Sequence, residues 1–188
     1  MSSDSSQARL ILDGSGMKRV LRRMASQMAE KHPGAGDLAL VGIRTNGIYL
    51  AKRLAKEMQS IEGFPVATGV IDVTLYRDDL SRGRPNPLVK RTEIGFSVDE
   101  RKIVLVDDVL FTGRTTRAAL DALMDFGRPA MVELAVLVDR GHRELPIRAD
   151  YVGMEVATTK EESVVVHMQE AGQKDEVLLV APGWRGEQ

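Results

Sequence analysis

The chain has 188 residues, with 26 Lys and Arg against 27 Asp and Glu, for a formal net charge of -1. That length buries a core as one domain without staples, and the near-neutral balance excludes a globally basic nucleic-acid binder, so any anion-binding surface must come from local clustering. The lack of cysteine excludes disulfides, thiolate zinc sites and a cysteine nucleophile, and no apolar run reaches the roughly 18 residues of a membrane span.

Residues 1–9 are polar with no apolar h-region and read as a disordered leader, followed by a single domain over 10–188. Met17, Val20, Leu21, Met24 and Met28 form one helical face over roughly 15–31, ended by His32-Pro33-Gly34. Residues 38–43 read as a strand, and Ile48, Leu50, Ala51, Leu54 and Met58 mark the next helix. Residues 65–76, rich in β-branched side chains, predict a strand. Residues 77–97 read as a loop or loose hairpin, with Arg77, Arg82, Arg84, Lys90 and Arg91 among Gly83, Pro85 and Pro87. Ile103-Val104-Leu105-Val106 predicts a strand buried on both faces and ending at Asp107 and Asp108. Ala118, Ala119, Ala122, Leu123 and Phe126 then share one helical face, closed by Gly127 and Pro129. Further strands are expected over 130–138, 151–156, 163–168 and 177–180. Such alternation predicts an α/β fold, a central, mostly parallel sheet flanked by helices. Ligands of such sheets sit at the carboxyl ends of the strands, which puts Arg44, Asp107 and Arg140 at one rim.

The chemistry concentrates after the strand at 103–106. Two carboxylates, a short apolar step Val109-Leu110-Phe111, and then Thr112-Gly113-Arg114-Thr115-Thr116 lead into a helix. Asp and Thr at such a junction can be plain capping residues, but desolvating two aspartates without partners is costly. Unpaired N–H groups at a helix start carry the positive end of the dipole and can cradle a phosphate. The threonine hydroxyls add donors, and Gly113 lets the backbone come close. The carboxylates suit sugar hydroxyls, or a divalent metal reached through water. No Gly-Lys-Ser/Thr triplet follows, so the turn is not a P-loop; a sugar phosphate fits both halves.

Other segments carry weaker signals. Val41-Gly42-Ile43-Arg44-Thr45-Asn46-Gly47 is a second strand-to-helix turn where an anion can meet N–H groups, equally read as a plain Asn-Gly turn. Residues 72–80 lead into the basic loop, whose spacing alone favours a solvated hairpin; 138–150 read by default as a charged surface loop. Lys18, Arg19, Arg22 and Arg23 form a basic stripe opposite the apolar face of the first helix, as much a solvated face as an RNA contact. His142 and Arg143 extend that patch if the fold brings them near. Aromatics are scarce, with four Phe, three Tyr and one Trp, which argues against an RRM-like stacking platform.

The run 103–116 resembles the phosphoribosyl diphosphate (PRPP) signature of type I phosphoribosyltransferases. Three further blocks, Gly-Ile-Tyr-Leu-Ala-Lys-Arg-Leu at 47–54, Ile-Asp-Val-Thr-Leu-Tyr-Arg-Asp-Asp-Leu at 71–80 and the stretch 138–150, resemble the PyrR family of pyrimidine operon attenuation proteins. The resemblance implies the type I phosphoribosyltransferase fold with a flexible loop over the active site, in a cytoplasmic homo-oligomer, dimer or tetramer. It implies conversion of uracil and PRPP to UMP and pyrophosphate with Mg2+, and UMP- or UTP-dependent binding to leader mRNA of pyrimidine genes. Under it, Asp107 and Asp108 hold the ribose hydroxyls and reach Mg2+ through water, with no direct protein ligand to the metal. Val109, Leu110, Phe111, Thr112, Gly113, Arg114, Thr115 and Thr116 bind the 5′-phosphate. Arg44, Thr45 and, from the loop, Arg77 neutralise pyrophosphate. Asp139 and Arg140 lie beside the base, with backbone around Val156 reading the uracil edge. Lys18, Arg19, Arg22, Arg23, His142 and Arg143 form the RNA face. The chain departs from the family at Asn46, where members often carry Arg, and at Arg22 and Ser26, where a Thr and a His are expected. The alternatives are a uracil phosphoribosyltransferase without specific RNA binding, and an enzyme for another base such as hypoxanthine, against which the blocks at 71–80 and 138–150 argue.

Overall fold

The computed structural model describes residues 8–34, 36–73 and 92–184. In chain order the elements are β1 (Ala8–Asp13), α1 (Gly14–Lys31), β2 (Leu38–Ile43), α2 (Asn46–Glu62), β3 (Ala67–Ile71), β4 (Lys102–Leu110), α3 (Arg114–Met124), β5 (Met131–Asp139), β6 (Tyr151–Glu155), β7 (Ser163–His167) and β8 (Glu176–Val180). A five-stranded sheet runs in the order β3-β2-β4-β5-β6 with every neighbour parallel. A separate antiparallel sheet, β1-β8-β7, forms from the two ends of the chain.

The unbroken apolar runs of the central strands follow from burial on both faces. Alternation sends Val104, Val106, Ala135 and Leu137 toward α1 and α2, where Met17, Met24, Met28, Leu50, Leu54 and Met58 meet them. The intervening Ile103, Leu105, Leu134 and Val136 pack against Ala118, Ala119, Ala122 and Leu123 of α3. Each buried Leu or Met contributes roughly 1.5–3 kcal/mol, and the two layers together hold the strand ends in register. Two glycines set the start of α2. A Cβ at Gly42 would stand 2.5 Å from the Gly47 carbonyl oxygen, and one at Gly47 would collide with the Val106 carbonyl. Only glycine at both places lets α2 press this closely on β2 and β4.

Several boundaries differ from the sequence expectation. Ala8 and Arg9, assigned to the leader, begin β1, a half-exposed strand whose pattern shows little alternation and whose Leu10 is exposed. The strand expected over 65–76 is β3 alone; residues 74–91, which hold Arg77 and the basic loop cations Arg82, Arg84, Lys90 and Arg91, lie outside the described residues. Glu93 returns to β3 through an antiparallel bridge to Val70. β4 does not end at the acidic pair but continues to Leu110, because Val109 and Leu110 still pair with Val138 and Asp139 of β5. The helix after it stops at Met124, short of the exposed Phe126. Among the described residues no helix is long and apolar enough to cross a membrane.

Candidate active site

The carboxyl ends of β2, β4 and β5 meet at one rim, as the register Gly42 to Val106 and Leu110 to Asp139 requires. Arg44 and Arg140 follow the ends of β2 and β5 there, and Asp107, Asp108 and Asp139 lie in the last residues of β4 and β5. Since β4 carries through the acidic pair, its pleat sends the two carboxylates to opposite faces. Asp107 is buried and folds over its neighbour, accepting the Asp108 N–H at 2.9 Å. Asp108 accepts the Val109 N–H at 2.9 Å on one oxygen and the Asn46 amide at 2.8 Å on the other. Asn46, noted from sequence only as a departure, is thus part of the site. No sequence signal identified it, because its partners lie 62 and 120 residues away.

The turn after β4 has the form of an anion cradle. Gly113, at φ +91°, precedes α3 in a conformation that favours glycine and has no side chain to cap it, while the Thr112 hydroxyl accepts the Arg114 N–H at 3.4 Å. α2 begins after Thr45 with no side-chain cap, whereas Asp13 caps α1 by accepting the Gly16 N–H. The backbone N–H groups of the first turns of α2 and α3 thus point toward the rim. The Thr112 carbonyl accepts the N–H groups of Glu144 and Leu145, which ties the turn to the next loop. Arg114 pairs with Glu144 at 2.8 Å. Thr115 and Thr116 belong to the first turn of α3 rather than to the preceding loop. The Thr116 side chain is buried beside a cavity of about 180 Å³ with Leu105, Leu120 and Ile147, and the Leu110 side chain lies in the core. From these two residues only the backbone is at the turn.

Beside the cradle, a pocket of about 520 Å³ is lined by Asp139 to Arg143 and Glu155 to Thr158. Arg140 is buried, with its guanidinium 4.0 Å from the Phe111 ring centroid. It donates to the Thr159 carbonyl at 2.8 Å and to Thr158 Oγ1 at 3.2 Å. Burial holds it below its ordinary pKa. Arg140 therefore builds the pocket wall by joining Phe111 to the 158–159 segment. Thr158, absent from the sequence reading, supports that wall again by accepting at its carbonyl from His142 Nε2 at 2.7 Å, which makes the Nε2–H form the donor. Burial alone would raise the Asp139 carboxyl, but hydrogen bonds from Arg143 and the Gly141 N–H hold it below its ordinary value. The Val156 N–H donates to the Asp139 carbonyl at 2.9 Å, so that donor is already engaged.

The cations expected to bind RNA divide in two. Lys18, Arg19 and Arg22 are exposed on α1, and Lys18 borders a cleft between α1 and α2 that Lys52 and Lys56 also line. Arg23 is exposed as well, but also donates to the carbonyls of Val152 and Gly153 in β6. Arg143 binds Asp139 and donates to the carbonyls of Phe111, Gly141 and Ile147. His142 and Arg143 are therefore brought into the pocket wall. In the turn between β2 and α2, the Arg44 backbone N–H donates to the Ile71 carbonyl at 3.0 Å and its side-chain Nε stands 3.9 Å from Asp72. Among the described residues no group of three or more His, Cys, Asp or Glu gathers to hold a metal.

A model of the phosphoribosyl transferase domain matches residues 8–171. The bifunctional protein PyrR of Alkaliphilus metalliredigens is 57% identical over 169 residues, covering 90% of this chain and 93% of the relative. That of Bacillus subtilis is 54% identical over 175 residues, covering 92% and 97%. Among solved structures, a hypoxanthine phosphoribosyltransferase from Staphylococcus aureus superimposes with a TM-score of 0.70 at 20% identity, over 97% of this chain and 98% of the other. The hypoxanthine phosphoribosyltransferase of Trypanosoma cruzi gives 0.70 at 17% identity, over 93% and 97%. At these identities the solved structures speak to the fold alone.

Proposed function

We propose, from the premise that this chain belongs to the phosphoribosyltransferase family and within it to the PyrR proteins, that it makes UMP from uracil and PRPP and regulates pyrimidine genes by binding their leader mRNA when a uridine nucleotide is bound. The observation that carries the catalytic half is the shared rim. Oriented carboxylates on β4, an uncapped α3 and a pocket walled by Arg140 and Thr158 lie next to one another. Together they match the ribose, 5′-phosphate and base of one nucleotide.

In the reaction N1 of uracil bonds to C1 of PRPP as the bond from C1 to pyrophosphate breaks, with the electron pair leaving on pyrophosphate and the N1 proton passing to water. Asp107 and Asp108 accept from the ribose hydroxyls, and their charge favours the cationic sugar that develops. The backbone of Val109 and Leu110, followed by Phe111, Thr112, Gly113 and the start of α3, holds the 5′-phosphate. Arg44 and Thr45 face pyrophosphate, joined by Arg77 from the loop. The segment around Val156 reads the uracil edge. Asp107 and Asp108 would hold the water shell of a Mg2+ ion, which would supply Lewis-acid stabilisation of the leaving pyrophosphate. No covalent nucleophile is used, so catalysis consists of positioning and charge stabilisation. The protein works as a cytoplasmic homo-oligomer, with the exposed cations of α1 on its RNA face.

The test combines PRPP-dependent UMP formation with binding of the host's pyrimidine leader transcript across a salt series, with and without UMP. Replacing Asp108 by Asn is expected to lower kcat/KM by about a hundredfold or more while RNA affinity with saturating UMP stays within a few-fold. Catalysis with RNA binding indifferent to UMP would favour the second reading, an enzyme without the regulatory role. The hydrogen bonds of Arg23 to the Gly153 carbonyl and of Arg143 to Asp139 give that reading its support.

A further inference from the structure

The Asn46 side chain amide joins three parts of the molecule. Nδ2 lies 2.8 Å from Asp108 Oδ2 on β4 and 3.0 Å from the Val166 carbonyl oxygen on β7. A carboxylate and a carbonyl can only accept, so the group between them must be the NH2, and both of its hydrogens are used. Asn46 is the first residue of α2, directly after the Arg44–Thr45 turn. Seven residues on, and so on the same side of the helix, Arg53 donates to both oxygens of Asp175 at 2.8 Å and also binds Glu170. α2 is thus fastened at two successive points to the segment that carries β7 and β8.

We infer that Asn46 is the positioning residue for Asp108. It fixes the plane of that carboxylate before PRPP arrives and ties it to β7. The Val109 N–H fixes the other oxygen at 2.9 Å, so each oxygen has one donor from the protein and retains a lone pair for a ribose hydroxyl. A carboxylate held by a single backbone N–H can rotate about its χ2 bond, whereas one held at both oxygens cannot. Rigid placement of the group that meets substrate is the ordinary function of such a supporting residue. The inference rests on the reading of Asp108 as the ribose ligand.

The experiment is calorimetric titration of PRPP, with Mg2+, into wild-type protein, Asn46→Ala, Asp108→Asn and the double variant. PRPP affinity is expected to fall about tenfold in Asn46→Ala. It is expected to fall by less than about twofold when the same change is made on the Asp108→Asn background, since an interaction already removed cannot be lost twice. Asn46→Gln, which keeps the amide, should recover part of the affinity, whereas Asn46→Leu should not. In steady-state assays of Asn46→Ala, KM for PRPP should rise while KM for uracil at saturating PRPP stays unchanged. Melting temperatures measured alongside identify any variant that fails to fold, and Asn46→Ser then takes its place. Equal losses on both backgrounds would overturn the inference and make Asn46 a direct contact of the substrate or of the loop. Wild-type PRPP affinity in Asp108→Asn would overturn the reading of the site itself, and the inference with it.

Discussion

Two polar clusters occupy opposite ends of the same parallel sheet, about 20 Å apart along β5. At the carboxyl rim, Asp107 and Asp108 are oriented by backbone N–H groups and Asn46 beside two uncapped helix starts. At the amino edge, Glu133 is buried among His32, Tyr151 and Lys31. His32 Nε2 and the Tyr151 hydroxyl each approach one carboxylate oxygen at 2.8 Å, and Lys31 binds the other. Burial alone would raise the Glu133 carboxyl, but those three donors hold it below its ordinary value. Burial first, then Glu133, pushes the Tyr151 phenol well above its ordinary range. The amino-edge cluster is closed by protein donors, and the rim cluster lies beside a pocket and two helix starts. Glu133 meets a lysine, a histidine and a phenol, whereas the two adjacent rim carboxylates meet backbone N–H groups and one amide. On the proposed function, what separates structure from function is whether the coordination is complete.

The largest effects should fall on opposite observables at the two ends. Replacing Glu133 by Ala leaves Lys31, His32 and Tyr151 without their shared acceptor and should cost about 3–5 kcal/mol of stability in urea unfolding, with kcat little changed at a temperature where the variant is folded. The sign of its pH dependence follows from the direction of the shift. A carboxyl with a depressed folded pKa stabilises the fold above its unfolded pKa, ordinarily 4.5. That stabilisation is lost as pH falls through the folded value. Wild-type stability should therefore fall more steeply below about pH 4.5 than that of Glu133→Gln. Equal slopes would show that the amino-edge network is not closed around a charged Glu133.

A smaller effect is expected where the rim is held by packing. Gly47→Ala places a methyl group against the Val106 carbonyl, one residue before Asp107. Pushing α2 away should cost about 1–3 kcal/mol of stability. The same displacement moves Asn46, so KM for PRPP should rise as well. A stability loss with unchanged KM would separate the packing of α2 from the orientation of Asp108.

The core layers were legible in sequence because alternation and helical periodicity report burial directly. Residues 38–43 match β2, and Met17, Leu21, Met24 and Met28 all lie in the core. The acidic pair, the Gly113 turn and the 139–143 segment were legible because each follows an apolar strand in an α/β alternation. β1 was not, because it is short and half exposed and its partner β8 lies at the other end of the chain. Asn46 was missed for the same reason. A hydrogen bond across 62 residues leaves no periodic trace, and Asn followed by Gly is also an ordinary turn. Thr116 and Leu110 show the limit of reading side chains from a motif. Position in a motif suggested contact with a ligand, yet the pleat and the helix turn both side chains into the protein.

The same criterion applies at its finest on α1, where neighbouring arginines have different surroundings. Both are exposed, but Arg23 reaches the Val152 and Gly153 carbonyls on β6. There Gly153 has no room for a Cβ against Val20 and the Leu137 carbonyl. An arginine whose donors face backbone acceptors has few left for a phosphate. Arg22→Ala should therefore weaken leader RNA binding and lower the salt slope of log K by about 1, with stability unchanged within about 0.5 kcal/mol. Arg23→Ala should cost about 0.5–1.5 kcal/mol of stability while leaving the salt slope near the wild-type value. If the two variants lowered the slope equally, Arg23 would have to leave β6 when RNA binds. Completed coordination in the unbound protein would then not distinguish a structural cation from a binding one.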